Sequence, residues 1–174
     1  MPTLATIGYE GAELVDFIAT LGAASVGVLV DVRELPSSRR AGFSKSALSI
    51  ALQSADIRYV HLRGLGDPKE GRDAARSGDY LRFRMIFSKH MTTETALADL
   101  KTAETIALDG NACLMCYERD PNLCHRKIVA DKISNTIKIK VLHLGVQEGI
   151  GKHGRKNRTR VGSGVSESSA SRGL

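Results

Sequence analysis

Two hydrophobic rhythms alternate along the first 145 positions. Thr3 to Gly8 is a short apolar run with β-branched residues, and Leu14, Phe17, Ile18 and Leu21 then recur at helical spacing until Gly22. Val26 to Val32 is almost continuous Val and Leu, the pattern of a strand covered on both faces. Leu48, Ala51 and Leu52 define a second helix with Ser44 at its N-cap, and Ile57 to Leu62 alternates as a third strand. Arg63 to Pro68 predicts a loop, followed by helices over Tyr80–Met91 and Thr93–Leu108, the second capped by Thr92 or Thr93. Ala112 to Tyr117 predicts a buried strand. Asp120-Pro121 then supplies an N-cap and a first-turn proline, so a helix is expected from Pro121 to about Ser134, and Ile139–Leu144 closes as a fifth strand.

Strands alternating with helices imply an α/β fold: three layers, with a mainly parallel sheet of about five strands and helices on both faces. Residues 1–150 are expected to form this single domain. From Gly151 to Leu174 the chain is rich in Gly and Ser, and six basic residues stand against one acidic, so this segment carries +5 of the whole chain's +6. Such a segment buries too little apolar surface to offset its ordering entropy, and a disordered basic tail is expected at 151–174. It favours non-specific phosphate contact, and a non-catalytic nucleic-acid-binding module using the tail is one alternative function. No apolar run approaches the ~20 residues of a membrane span, and the three cysteines, odd in number and confined to 113–124, do not read as a disulfide framework. No membrane association and a cytoplasmic, reducing location are expected.

In a parallel sheet, ligands bind beyond the carboxyl ends of the strands. The first strand delivers Tyr9 and Glu10 there, and the second delivers Asp31, Arg33, Glu34, Ser37, Ser38, Arg39 and Arg40. The third is followed by Gly64-Leu65-Gly66, and the fourth by Glu118 and Arg119, with Cys124, His125 and Arg126 just beyond. Random placement would divide such residues between the two ends of the sheet; their collection at one rim argues for a site.

Thr6-Ile7-Gly8-Tyr9, Asp31-Val32-Arg33 with Pro36, Ser38 and Phe43, Leu62-Gly64-Leu65-Gly66, and Cys116-x-Glu118 followed by Cys124-His125-Arg126 resemble the pattern of the domain-of-unknown-function family 488 over about the first 145 residues. The resemblance implies an α/β domain and, as the family's name declares, no stated activity. Two positions depart from the pattern: Glu10 after Tyr9, where a variable residue is expected, and Asp67 after Gly66, where a further glycine is common and a change in the turn and in any anion contact it makes is expected.

The rim residues suggest a pocket for a phosphate-containing small molecule, a nucleotide, or nucleic acid. Tyr9, Arg33, Ser37, Ser38, Arg39, Arg119 and Arg126 are the candidate anion-binding groups, because guanidinium forks and hydroxyls match phosphate oxygens. The competing structural role for the arginines is a buried network with Asp31, Glu34 and Glu118. Asp31, Glu118, Cys124 and His125 are the candidate catalytic groups for phosphate-ester hydrolysis or transfer. Whether the domain is catalytic stays open at this level, as does a divalent cation such as magnesium held by the carboxylates. Cys124 in a helical first turn meets the positive end of the dipole, which favours a thiolate. A thiol-redox or zinc-binding protein is the other alternative, but no metal site is assigned. Cys113 and Cys116 should face opposite sides of a strand, and neighbouring Cys124 and His125 on a helix should diverge by about 100°. Cys113 is expected as a small buried strand residue, His61 and His143 as core or edge residues of strands, and Tyr80, Phe83 and Phe87 as a core stripe.

Overall fold

Five extended segments, β1 (Thr3–Gly8), β2 (Val28–Asp31), β3 (Arg58–His61), β4 (Ala112–Cys116) and β5 (Lys140–Leu144), pair in the computed structural model, which describes residues 2–152. They form one parallel sheet in the order β3-β2-β4-β1-β5. Flanking it are α1 (Leu14–Ala23), α2 (Lys45–Gln53), α3 (Lys69–Arg76), α4 (Tyr80–His90), α5 (Glu94–Asp109) and α6 (His125–Ile137). Central β4 is buried along its whole length, which is why Ala-Cys-Leu-Met-Cys carries no polar alternation.

Strand pleating sorts the side chains into two cores. Leu4, Val30, Leu114 and Cys116 pack with Phe83, Phe87, Ala103, Ile106, Val129 and Ile133 from the α4, α5 and α6 side. Ile7, Leu29, Cys113 and Met115 pack on the other face with Phe17, Leu21, Leu48 and Leu52 from α1 and α2. The three-layer α/β architecture is therefore the one the hydrophobic pattern implies. Cys113 and Cys116 indeed belong to opposite faces, and Cys113 is fully buried.

Three local differences matter for the site. Helix α3 lies where no helix is legible, because Lys-Glu-Gly-Arg-Asp-Ala-Ala-Arg offers nothing larger than alanine to the core; it buries Gly71 and Ala74. The expected helix from Pro121 is a 3₁₀ turn over Pro121–Leu123, and α6 begins only at His125. A second 3₁₀ turn, Arg63–Leu65, occupies part of the expected loop after β3. At the other end, the Gly149 and Gly151 N–H groups each donate to the Asp16 carboxylate at 2.9 Å, so the domain body includes Gly151. The basic stretch from 153 to 174 lies outside the described residues.

Candidate functional site

The carboxyl ends of β1, β2 and β4 open on a cavity of about 870 Å³. Its construction begins with a close backbone crossing at Gly8. A Cβ there would lie 1.9 Å from the Glu118 carbonyl oxygen, so only glycine lets the post-β4 loop cross the end of β1. Beneath this crossing the fully buried Arg126 guanidinium donates to the Glu118 carbonyl, to the Arg119 carbonyl at 3.2 Å and to Thr6 Oγ1 at 3.3 Å. Arg126 thus fixes the loop from below and does not line the cavity. That corrects its expected place among anion-binding groups: a guanidinium on α6 turned into the sheet is consumed by carbonyls and a hydroxyl.

Asp31 and Arg33 form a closed network. Arg33 Nη2 lies 2.7 Å from Asp31 Oδ2 and Nε lies 2.9 Å from Oδ1, a bidentate pair, and Nη1 donates to the Tyr9 hydroxyl at 3.0 Å and the Phe43 carbonyl at 2.8 Å. The Tyr59 hydroxyl donates to Asp31 Oδ2 at 2.6 Å, and the Arg33 backbone N–H reaches Oδ1 at 3.1 Å. Although burial opposes it, Asp31 holds the Arg33 pKa above its ordinary value, while burial and then Asp31 raise that of Tyr59. Both Asp31 oxygens therefore have two donors each, leaving neither for a cation or for proton transfer. The expected catalytic or magnesium-holding role of Asp31 does not fit this arrangement. Arg33 and Tyr9 keep one edge on the cavity, where Tyr9 is stacked on Phe43 with ring centroids 4.4 Å apart.

A second polar cluster, on the α4–α6 face of the rim, is open. Cys124 is the N-cap residue of α6 with extended backbone, φ −129° and ψ 140°, so the helical divergence expected between it and His125 does not apply. The Cys116 and Cys124 sulfurs lie 3.7 and 4.0 Å from the same atom, His125 Nδ1. His125 Nε2 lies 2.7 Å from the Val32 carbonyl, which can only accept, so Nε2 carries a proton and Nδ1 is presented to the sulfurs. Cys116 Sγ is also 3.4 Å from Glu118 Oε2.

Burial and charge shift every member. Burial opposes a thiolate at Cys124, yet the Cys116 thiol and the His125 ring hold its pKa well below the ordinary value, and Cys116 is raised by that same contact with Cys124 and then by burial. Burial works against the charged His125 ring, but Cys124 raises it to about 9; burial and then Cys124 push Glu118 up to about 7.

The sequence reading missed Asp67. It sits on the cavity, is 4 % exposed, and its Oδ1 has no hydrogen-bond partner among the described residues; burial raises its pKa to about 6, against the pull of His125 and Arg72. A Cβ at Gly71 would come within 2.0 Å of that same oxygen, so the first turn of α3 leaves room for the carboxylate and offers it no donor. The signal was present in the chain as the charged residue following Gly66, but its burial depends on α3, which apolar periodicity does not reveal.

Of the other candidates, Ser37, Ser38, Arg39, Glu118 and His125 line the cavity, as do Arg72 and Arg76 from α3, which the sequence did not nominate. Arg119 points elsewhere: its side chain is exposed and 4.0 Å from Glu148. Cys124 is 3 % exposed and does not line the cavity, which removes the access a nucleophile needs. Phe83 and Phe87 are buried as expected, with Phe83 and Tyr80 also forming cavity wall. His61 and His143 lie in the edge strands β3 and β5, bonded to the Arg33 carbonyl and to Thr6 Oγ1, each at 2.8 Å.

Fold and cavity together define a parallel α/β domain with a polar pocket at the switch between chain directions, beyond the strand ends. The model of the family described as "Domain of unknown function DUF488" matches residues 13–133, and the chain belongs to that family. No curated protein and no solved structure matches the chain. The matched span omits β1 and β5, although both are paired in the same sheet. No helix among the described residues is long and apolar enough to cross a membrane.

Proposed function

We propose that the cavity binds a small phosphate-bearing molecule, a nucleotide being the class of suitable size, for ester hydrolysis or group transfer. The observation that carries this reading is a set of basic side chains on the cavity wall that the fold does not consume. Arg39 forms no ion pair among the described residues, and Arg76 has only a loose, exposed contact with Asp73 at 3.6 Å. They share the cavity lining with Ser37, Ser38, Asp67, Glu118 and His125. Guanidinium forks with hydroxyls suit phosphate oxygens, and Tyr9, Tyr80 and Tyr117 supply aromatic wall for a planar group. Glu118 and Asp67 are the carboxyl groups at the reacting end, in place of Asp31. Cytoplasmic location accords with three free cysteines.

Thermal unfolding of the full chain with inorganic phosphate and a panel of nucleotides tests the reading. A ligand that raises the midpoint should lose most of that effect when Arg39 and Arg76 are both replaced by alanine, because each charge-assisted contact contributes about 1.5–3 kcal/mol. Stabilisation unchanged in that double variant, or none with any phosphate compound, rejects it.

A further inference from the structure

The open cluster has a second property that the anion pocket does not use. Two sulfurs and one imidazole nitrogen, on three side chains each at most 6 % exposed, lie within 4.8 Å of one another. We propose that Cys116 Sγ, Cys124 Sγ and His125 Nδ1 bind a zinc(II) ion, with its fourth position open to the cavity beside Glu118.

Four features support this assignment. Zinc takes thiolate at about 2.3 Å and imidazole nitrogen at about 2.0–2.1 Å, so tetrahedral ligands stand roughly 3.5–3.8 Å apart. The sulfur to Nδ1 separations of 3.7 and 4.0 Å are already close to that edge length. Next, the Nε2 proton donated to the Val32 carbonyl leaves Nδ1 as the ring nitrogen that gives up its proton to a metal, and it is the outer hydrogen bond that metal-bound histidines make. Both thiols are also free and buried, and a pair sharing one histidine nitrogen exceeds what a thiol–imidazole nucleophile requires. Finally, Cys116, Glu118 and His125 reach the cavity and Cys124 does not, so three ligands come from the protein and the remaining direction faces the space a water or ligand oxygen would occupy. Two sulfurs with one nitrogen favour zinc over magnesium or calcium, which prefer oxygen. The chain geometry that permits the set is the extended N-cap at Cys124; one more helical residue there would swing its sulfur away. Binding displaces two protons to solvent, the Cys116 thiol proton and the one that the Cys124–His125 pair holds, leaving both sulfurs as thiolates and Nδ1 as a neutral donor.

The test uses the untagged, reduced full chain in phosphate-free buffer, which separates this proposal from the anion reading. Metal analysis after zinc loading and desalting should give one equivalent per chain, and titration with cobalt(II) alone should produce thiolate-to-cobalt charge-transfer absorption with tetrahedral visible bands. Cys116→Ser and His125→Ala should each weaken binding by more than about 100-fold, beyond the 10–100-fold typical of outer-shell changes. Cys113→Ser, on the other face of the sheet, should retain the full equivalent, and so should the Arg39→Ala, Arg76→Ala double variant. If a ligand variant fails to fold, the wild-type cobalt spectrum still decides. Absence of the charge-transfer band, stoichiometry unaffected in folded Cys116→Ser, or a Cys116–Cys124 disulfide in place of metal after anaerobic thiol trapping of the cellular protein overturns the proposal.

Discussion

Asp31 and Asp67 are both carboxylates buried at the same rim, 0 % and 4 % exposed, in opposite settings. Asp31 receives two hydrogen bonds on each oxygen, from Arg33, its backbone N–H and Tyr59. Asp67 has an oxygen with no donor among the described residues, and the charges of His125, Arg72, Cys124 and Glu34 act on it. A completed network stiffens the loop that carries it, and an incomplete one costs stability unless a ligand completes it. The difference separates rim residues that build the pocket from those that would act in it. It moves Asp31 and Arg126 to the first group, and leaves Glu118, His125 and Asp67 in the second.

Breaking the closed side should have the largest effect. Arg33→Ala strands the Asp31 carboxylate and should destabilise the domain by about 3–5 kcal/mol in denaturant unfolding. A loss under 1 kcal/mol would show that the network is not what holds the rim. Gly8→Ala comes next, since the added Cβ meets backbone and not a movable side chain. It should cost about 1–3 kcal/mol or more and disturb the post-β4 loop, visible as faster amide exchange at Glu118 and Arg119.

The pH dependence of stability should carry opposite signs for open and closed carboxylates. Asp16, whose pKa is lowered chiefly by the Gly149 and Gly151 N–H groups, contributes stability that is present above its ordinary value of 3.8 and lost as pH falls through the lower folded value. Asp67, faced by His125, Arg72, Cys124 and Glu34 and raised to about 6, contributes stability that is full below 3.8 and lost as pH rises through about 6. Asp67→Asn should therefore remove a decline between about pH 4 and 6, and Asp16→Asn should remove a decline at more acid pH. Matching profiles for the two variants would dissolve the distinction. The smallest effect belongs to Arg39, which forms no ion pair among the described residues: Arg39→Ala should shift stability by no more than about 0.5 kcal/mol, so that lost phosphate binding in that variant reflects lost contact and not a damaged fold.

Much of this architecture was legible because hydrophobic periodicity acts locally. Val26 to Val32 and Ala112 to Tyr117 announce covered strands, pleating alone places Cys113 and Cys116 on opposite faces, and the order of strands and helices implies a parallel sheet whose polar residues share one rim. The site was only half legible. Helix α3 carries no large apolar residue, so Arg72, Arg76 and the buried position of Asp67 were hidden with it. Arg126 and Arg33 look alike as sequence, and only the packing shows that carbonyls hold one while the other pairs with a carboxylate and keeps an edge on the cavity.

The sequence by itself determined the layers, the rim and the residue types collected there, because those follow from burial periodicity and chain direction. Tertiary structure alone decided which polar groups are satisfied and which are left open. Extended backbone at Cys124, a glycine crossing at Gly8 and a guanidinium turned inward at Arg126 each depend on atoms brought together from more than 100 residues apart, or on a single dihedral that no spacing rule encodes.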